Sequence, residues 1–211
     1  MAAMAAVAAL ACTAMPALAE EEAAAEKTKV ATVGEPAPQF ELTDLDGEKH
    51  KLSDYKGQIV VLHWQSLQCP WEVGKYEPII SGVYNDFKSR VDEEGKQRVV
   101  FLGINSNHTE SVEALKAYSE EWELSYPILK DDENKIADVY QARTTPHLFI
   151  IDEEQTLRYM GHPETIPARL SDVGEGETQY LVPTLNALLN GEEIEVTETP
   201  TKGCTIKRVE R

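Results

Sequence analysis

The chain has 211 residues, 42% of them hydrophobic, which suffices for one globular domain with additional segments. Its 37 acidic residues against 20 basic ones give a formal charge of −17 at pH 7. Such a balance opposes nucleic acid and anionic membrane surfaces, so neither is expected as a partner, and it keeps the protein in solution.

The first nineteen residues, MAAMAAVAALACTAMPALA, carry no charge. They are too short and too rich in alanine for a membrane span, and Ala17-Leu18-Ala19 before Glu20 has the form of a cleavage site. A signal peptide over 1–19 is therefore expected, although no Lys or Arg marks its start. Export to the periplasm or cell envelope follows, with no integral membrane span in the mature chain. A lipoprotein anchor at Cys12 is the rival, and it is disfavoured because the leucine of ALAC stands one position off the usual motif. Residues 20–35 are charged, alanine-rich and poor in large apolar side chains, as in a flexible acidic linker.

A domain is expected over 36–190. In APQFELTDLDGEKHKLSDYKG, Phe40 and Leu42 alternate with polar neighbours around the turn Asp46-Gly47, which predicts a hairpin. QIVVLHW is short, apolar and rich in β-branched residues, as in a buried central strand. Past Cys69 the period changes. Val73, Tyr76, Ile80, Val83, Tyr84 and Phe87 fall at helical spacing, with Pro70 suited to a first turn and Pro78 set to kink or restart the helix. RVVFLGINSN predicts a second buried strand. A helix is expected from Thr109 to about Leu124, capped by Asn107 or Thr109, with Val112, Leu115, Tyr118 and Trp122 on one face. A short helix over 131–141 precedes two strands, TTPHLFIID and TLRYMG, joined by a polar turn. An irregular loop over 161–177 leads to a last helix over 180–189, and a tail over 191–211 holds Cys204. This order predicts an α/β fold, a mixed central sheet flanked by helices on both faces.

Cleavage after Ala19 would leave two cysteines, Cys69 and Cys204. A cell envelope permits disulfides, so they are free, paired or redox-cycling. Cys69 stands where a buried strand meets a helix, and unpaired N–H groups there favour the reactive thiolate. Glu72, in the same first turn, opposes that by raising a nearby thiol pKa. Its carboxyl group is either a proton relay to a leaving thiol or a solvated acid. Trp71 either packs or lines a substrate groove. Thr145-Pro146 opens an apolar strand, where proline is tolerated and the preceding bond can be cis.

The motifs VGEPAPQFELTDLDGEKHKLSDYKG, CPWEVGKYEP, FLGINSN, ADVYQARTTPHLFIID and GCTIK span almost the whole mature chain. Together they resemble the redoxin (AhpC/TSA-type) branch of the thioredoxin superfamily, in particular its peroxiredoxin-like single-cysteine members. The resemblance implies a thioredoxin-like fold and a reactive thiol at Cys69. It implies that Pro146 faces that thiol, while Thr145 and His147 border the partner's groove. Members resembling this chain also end in Gly-Cys-x-Ile-Lys. Cys204 is thus a candidate to resolve Cys69, against a static disulfide or a free thiol under the tail.

A peroxidase would show P-x-x-x-[TS]-x-x-C and an arginine beside the thiol. Ser66 fits that pattern, but Leu62 holds the proline position and Pro146 the arginine position, so peroxidase activity should be weak. Copper carriers on this fold use C-x-x-x-C-P with a distant histidine. Gln65 replaces the first cysteine here, although His63, His147 and His162 are available. No metal and no cofactor are therefore expected. Neither a phosphate loop nor a serine nucleophile elbow is present, and Asn107-His108-Thr109 matches a glycosylation acceptor only by its spacing. The expected activity is thiol–disulfide exchange through Cys69 with protein thiols or disulfides as partners. The rival is a non-catalytic module that binds peptides or proteins in the thioredoxin groove.

Overall fold

A computed structural model describes residues 30–175 and 178–210. The expected signal peptide, Cys12 and most of the 20–35 linker lie outside the described residues.

The hairpin pairs β1 (Glu41–Asp44) with β2 (Lys49–Lys51) around Gly47, whose φ of 90° suits glycine. In β3 (Ile59–Trp64) every residue is buried. Alternation splits it between two cores: Val60, Leu62 and Trp64 pack with Tyr140 and Phe149, while Ile59 and Val61 pack with Tyr76, Ile80 and Phe101. Then come α1 (Glu77–Phe87), β4 (Val99–Asn105), α2 (Val112–Glu121), β5 (Ile128–Lys130) and α3 (Lys135–Val139). The chain continues through β6 (Thr144–Thr145), β7 (His147–Ile151), β8 (Leu157–Gly161), α4 (Leu181–Asn190) and β9 (Cys204–Thr205).

Seven strands form one sheet in the order β2-β1-β5-β4-β3-β7-β8, while β6 pairs with β9 in a second. β3 is parallel to β4 and antiparallel to β7, which makes the main sheet mixed, as the sequence order predicts.

Three expectations need correction, and β5 was not anticipated. The fold starts before residue 36: Ala31 is buried and its N–H donates to Val139 O at 2.9 Å, so residues 31–35 belong to the packed domain rather than to a linker. β5, only three residues long after Pro127, was too short to show a period. Ser111, rather than Asn107 or Thr109, caps α2, its Oγ accepting from Ala114 N–H at 3.2 Å. The helix after Cys69 is also not continuous. Glu72–Tyr76 form a π-type turn, broken at Val73 (ψ 119°) and Gly74 (φ 67°), and α1 begins afresh at Glu77 with Pro78 in its first turn. That break turns Glu72 and Glu77 inward, where periodicity placed Val73.

Candidate active site

Cys69 lies between β3 and the π-type turn, with its side chain buried. Its carbonyl accepts from the N–H groups of Glu72 (3.0 Å) and Val73 (2.9 Å), which fixes the start of the turn. Its Sγ donates to Thr145 O at 3.1 Å, and the Thr145–Pro146 peptide bond is cis. The cysteine and the Thr-Pro pair, 76 positions apart in sequence, therefore meet in one site.

The loop before Cys69 is held by Glu110, which sequence reasoning missed. Its buried carboxylate accepts from Ser66 Oγ and Asn105 Nδ2, both at 2.6 Å, and from the N–H groups of Leu67 and Gln68, both at 3.3 Å. Ser66, the residue that fits the peroxidase pattern, thus spends its hydroxyl proton on Glu110. In the sequence Glu110 has the look of an ordinary acid before a helix, so no signal marked it.

The tail closes the site. β9 runs antiparallel to β6 with Cys204 opposite Thr145. Ile206 N–H donates to Arg143 O at 3.1 Å and Ile206 enters the core. Lys207 N–H donates to Asn107 Oδ1 at 2.7 Å, and His108 N–H to Lys207 O at 3.0 Å. Gly203 passes so near Thr145 that a Cβ there would sit 2.7 Å from the Thr145 carbonyl carbon. The Thr145 backbone, which the resemblance set at the border of a partner's groove, is therefore taken by the chain's own tail. Trp71 is half-buried beside it, with Lys202 Nζ 4.6 Å from the ring centroid.

Both thiols are free. Burial pushes the Cys204 thiol up to about 12, and the hydrogen bond and charge of Cys69 add to this. Lys207 and the Trp71 N–H offset part of the rise. His147 is buried and its ring lies 4.4 Å from that of Phe149. Burial, His162 and Arg143 together lower it to about 3, so its imidazole is neutral.

Glu72 is fully buried, which overturns its reading as a solvated acid. Its carboxyl group turns to His63 and Glu77. Burial raises it well above the usual carboxylate range, Glu77 opposing and the charge of Glu110 adding. Burial also raises Glu77 to about 7 and lowers His63. For the copper alternative, no metal-capable cluster among the described residues includes Cys69.

Residues 33–160 match the AhpC/TSA family. The chain belongs to that family. It is 35% identical over 129 residues to the thiol-disulfide oxidoreductase ResA of Geobacillus kaustophilus (strain HTA426), a match covering 61% of this chain and 67% of that protein. Among solved structures, a hypothetical protein of Sinorhizobium meliloti 1021 superposes with a TM-score of 0.72 at 26% identity, over 87% of this chain and 98% of that one. The thioredoxin domain of a thiol-disulfide oxidoreductase from Bacteroides vulgatus, 22% identical, matches 60% of this chain and 85% of its own with a TM-score of 0.51. The thioredoxin-like fold and the redoxin branch are thus those the motifs implied.

Proposed function

We propose that the protein is an exported thiol–disulfide oxidoreductase whose exchanging pair is Cys69 and Cys204. The observation that carries this is the β6–β9 pairing: Cys204 stands opposite Thr145, whose carbonyl accepts from the Cys69 thiol. The curated relative's name, thiol-disulfide oxidoreductase, supports the same chemistry.

The tail lifts, because Cys69 is buried while β9 is seated. The Cys69 thiolate attacks a partner disulfide, forming a mixed disulfide and releasing one partner thiolate, which takes up a proton. The tail returns, and the Cys204 thiolate attacks the Cys69 sulfur. A Cys69–Cys204 disulfide forms and the second partner thiol leaves, so the partner gains two electrons and the protein loses two. An external dithiol reduces the protein again.

The raised pKa of Cys204 suits this order. Two of its causes, the hydrogen bond and the charge of Cys69, vanish once Cys69 is in a mixed disulfide, so Cys204 ionises more readily when it is needed. Pro146, Thr145, His147 and Trp71 border the groove from which the tail moves. Glu72 is assigned no proton transfer, since its carboxyl group faces His63 and Glu77. A binding module would likewise need the tail to lift from that groove, and it would give Cys204 no part opposite Thr145.

The test is intact mass after thiol alkylation, as isolated, after mild oxidation and after reduction, with Cys204→Ser alongside. A reversible loss of two protons that vanishes in the variant is expected. Two alkylatable thiols under every condition would refute the couple.

A further inference from the structure

We propose that His63, Glu72 and Glu77 form a buried site for one divalent transition-metal ion of the zinc class, independent of the thiol chemistry. The three residues come from β3, the π-type turn and the first position of α1, and their ligating atoms lie within 4.8 Å of one another. In a regular α-helix, residues five apart point about 140° away from each other. The break at Val73 and Gly74 brings Glu72 and Glu77 to one point, and its φ of 67° is one that glycine adopts freely. A Cβ on Gly74 would also press on Trp122 at 3.3 Å. Irregular turns of this kind recur at functional sites.

Among the described residues, the convergent atoms have no hydrogen-bond donor from outside the cluster. The Tyr126 hydroxyl donates its single proton to Glu77 Oε1, so its oxygen can only accept from His63 Nδ1, 3.4 Å away. Ser81 Oγ also donates to Glu77 Oε1, at 3.1 Å. Tyr126 therefore fixes the His63 tautomer with a bare Nε2 lone pair, as outer partners of metal-bound histidines do. That Nε2 stands 2.9 Å from Glu72 Oε1, yet His63 Nε2, both Glu72 oxygens and Glu77 Oε2 make no hydrogen bond of sound geometry.

Acceptors this close need a proton or a cation between them. One proton serves one pair, whereas a single ion serves all the convergent atoms. Among the described residues, neither carboxylate is ion-paired to a lysine or arginine. Two carboxylates, a neutral imidazole and a divalent cation sum to zero charge, which removes the cost of burying the carboxylates unpaired. One imidazole nitrogen with carboxylate oxygens suits zinc and its neighbours better than calcium or magnesium. Bound there, the ion ties the turn that begins at Cys69 to the central strand.

The test uses the full chain carrying Cys69→Ser and Cys204→Ser, so that thiolates cannot hold the metal. It is stripped of metal and titrated with Zn²⁺ against a chromophoric chelator, beside the wild type. One equivalent bound at micromolar or tighter affinity in both proteins, and at least tenfold weaker after adding Glu77→Gln, is expected. No saturable binding would overturn the proposal and leave a shared proton in the cluster. Loss of binding with the cysteines would overturn it in favour of a thiolate site. Should the Glu77→Gln protein not fold, Co²⁺ bound to the double-serine chain decides. Visible bands with a coupled change in the environment of Tyr126 are expected, and a silent titration refutes the site. None of these outcomes depends on disulfide exchange.

Discussion

Replacing Gly203 with alanine should unseat the tail. A Cβ there collides with the Thr145 carbonyl, and the φ of 156° lies outside the range side chains favour. Such a conformation costs a non-glycine residue about 1–3 kcal/mol before any collision is counted. The docked tail has little reserve against that. Burying Ile206 contributes about 2 kcal/mol. The hydrogen bonds of Ile206, Lys207, His108 and Val209 add about 1 kcal/mol each. Fixing residues 204–209 costs about 1 kcal/mol per residue, and the Arg208 contacts to Asp138 and to Ala142 O, about 1 kcal/mol each, leave the closed tail favoured by only about 2 kcal/mol. Each 1.4 kcal/mol moves a population about tenfold. In Gly203→Ala, Cys69 should therefore react with iodoacetamide at least about tenfold faster, and mild oxidation should yield less Cys69–Cys204 disulfide. The assay is the time course of peptide-resolved alkylation. A rate and a disulfide yield equal to those of the wild type would refute the closed-tail account.

Cys204→Ser should still form a mixed disulfide with a small aromatic disulfide at Cys69 but lose at least about tenfold in multiple-turnover reduction of disulfides; steady-state rates at wild-type level would remove Cys204 from the cycle. Glu110→Ala leaves the donors on Ser66, Leu67, Gln68 and Asn105 without their buried acceptor, and should destabilise the protein by about 3 kcal/mol or more. An unchanged urea midpoint would count against that hub. His147, lowered to about 3 mainly by burial, stays neutral in the folded protein while the unfolded chain takes up a proton near its ordinary value of 6.5. Its contribution to stability is complete above pH 6.5 and is lost as pH falls toward 3, by at most about 1.4 kcal/mol per pH unit. His147→Gln should flatten that slope between pH 6.5 and 4, with residuals from His162 and His63, both lowered in the same direction, and an opposing contribution from Glu72 and Glu77, both raised. Equal slopes in urea titrations of the two proteins would disprove the assignment.

Much of the fold was written in local pattern. QIVVLHW and RVVFLGINSN are continuous apolar runs because their strands are buried on both faces, and both appear as β3 and β4. The hairpin and the paired strands β7 and β8 followed from alternation and turn residues in the same way. Cys69 and Thr145-Pro146 stood out because few residue types suit a strand-to-helix junction or a strand entry.

What stayed hidden depends on contacts between distant segments. Glu72 and Glu77 look like surface acids of a helix, and only the break at Val73 and Gly74, where Gly74 packs against Trp122, turns them inward to His63. Glu110 becomes a hub because β4 brings Asn105 and the loop after β3 brings Ser66 to the same carboxylate. The pairing of Cys204 with Thr145 has no local signature, since a two-residue strand carries no period and its partner lies 59 positions away. The sequence alone determined the hairpin, the buried strands β3 and β4 and the pair β7 and β8, and it marked Cys69 as the candidate thiol, because alternation and turn preference act between near neighbours. The tertiary structure decided which acids are buried and what covers Cys69, because burial and register are set by whichever segments the folded sheet brings together.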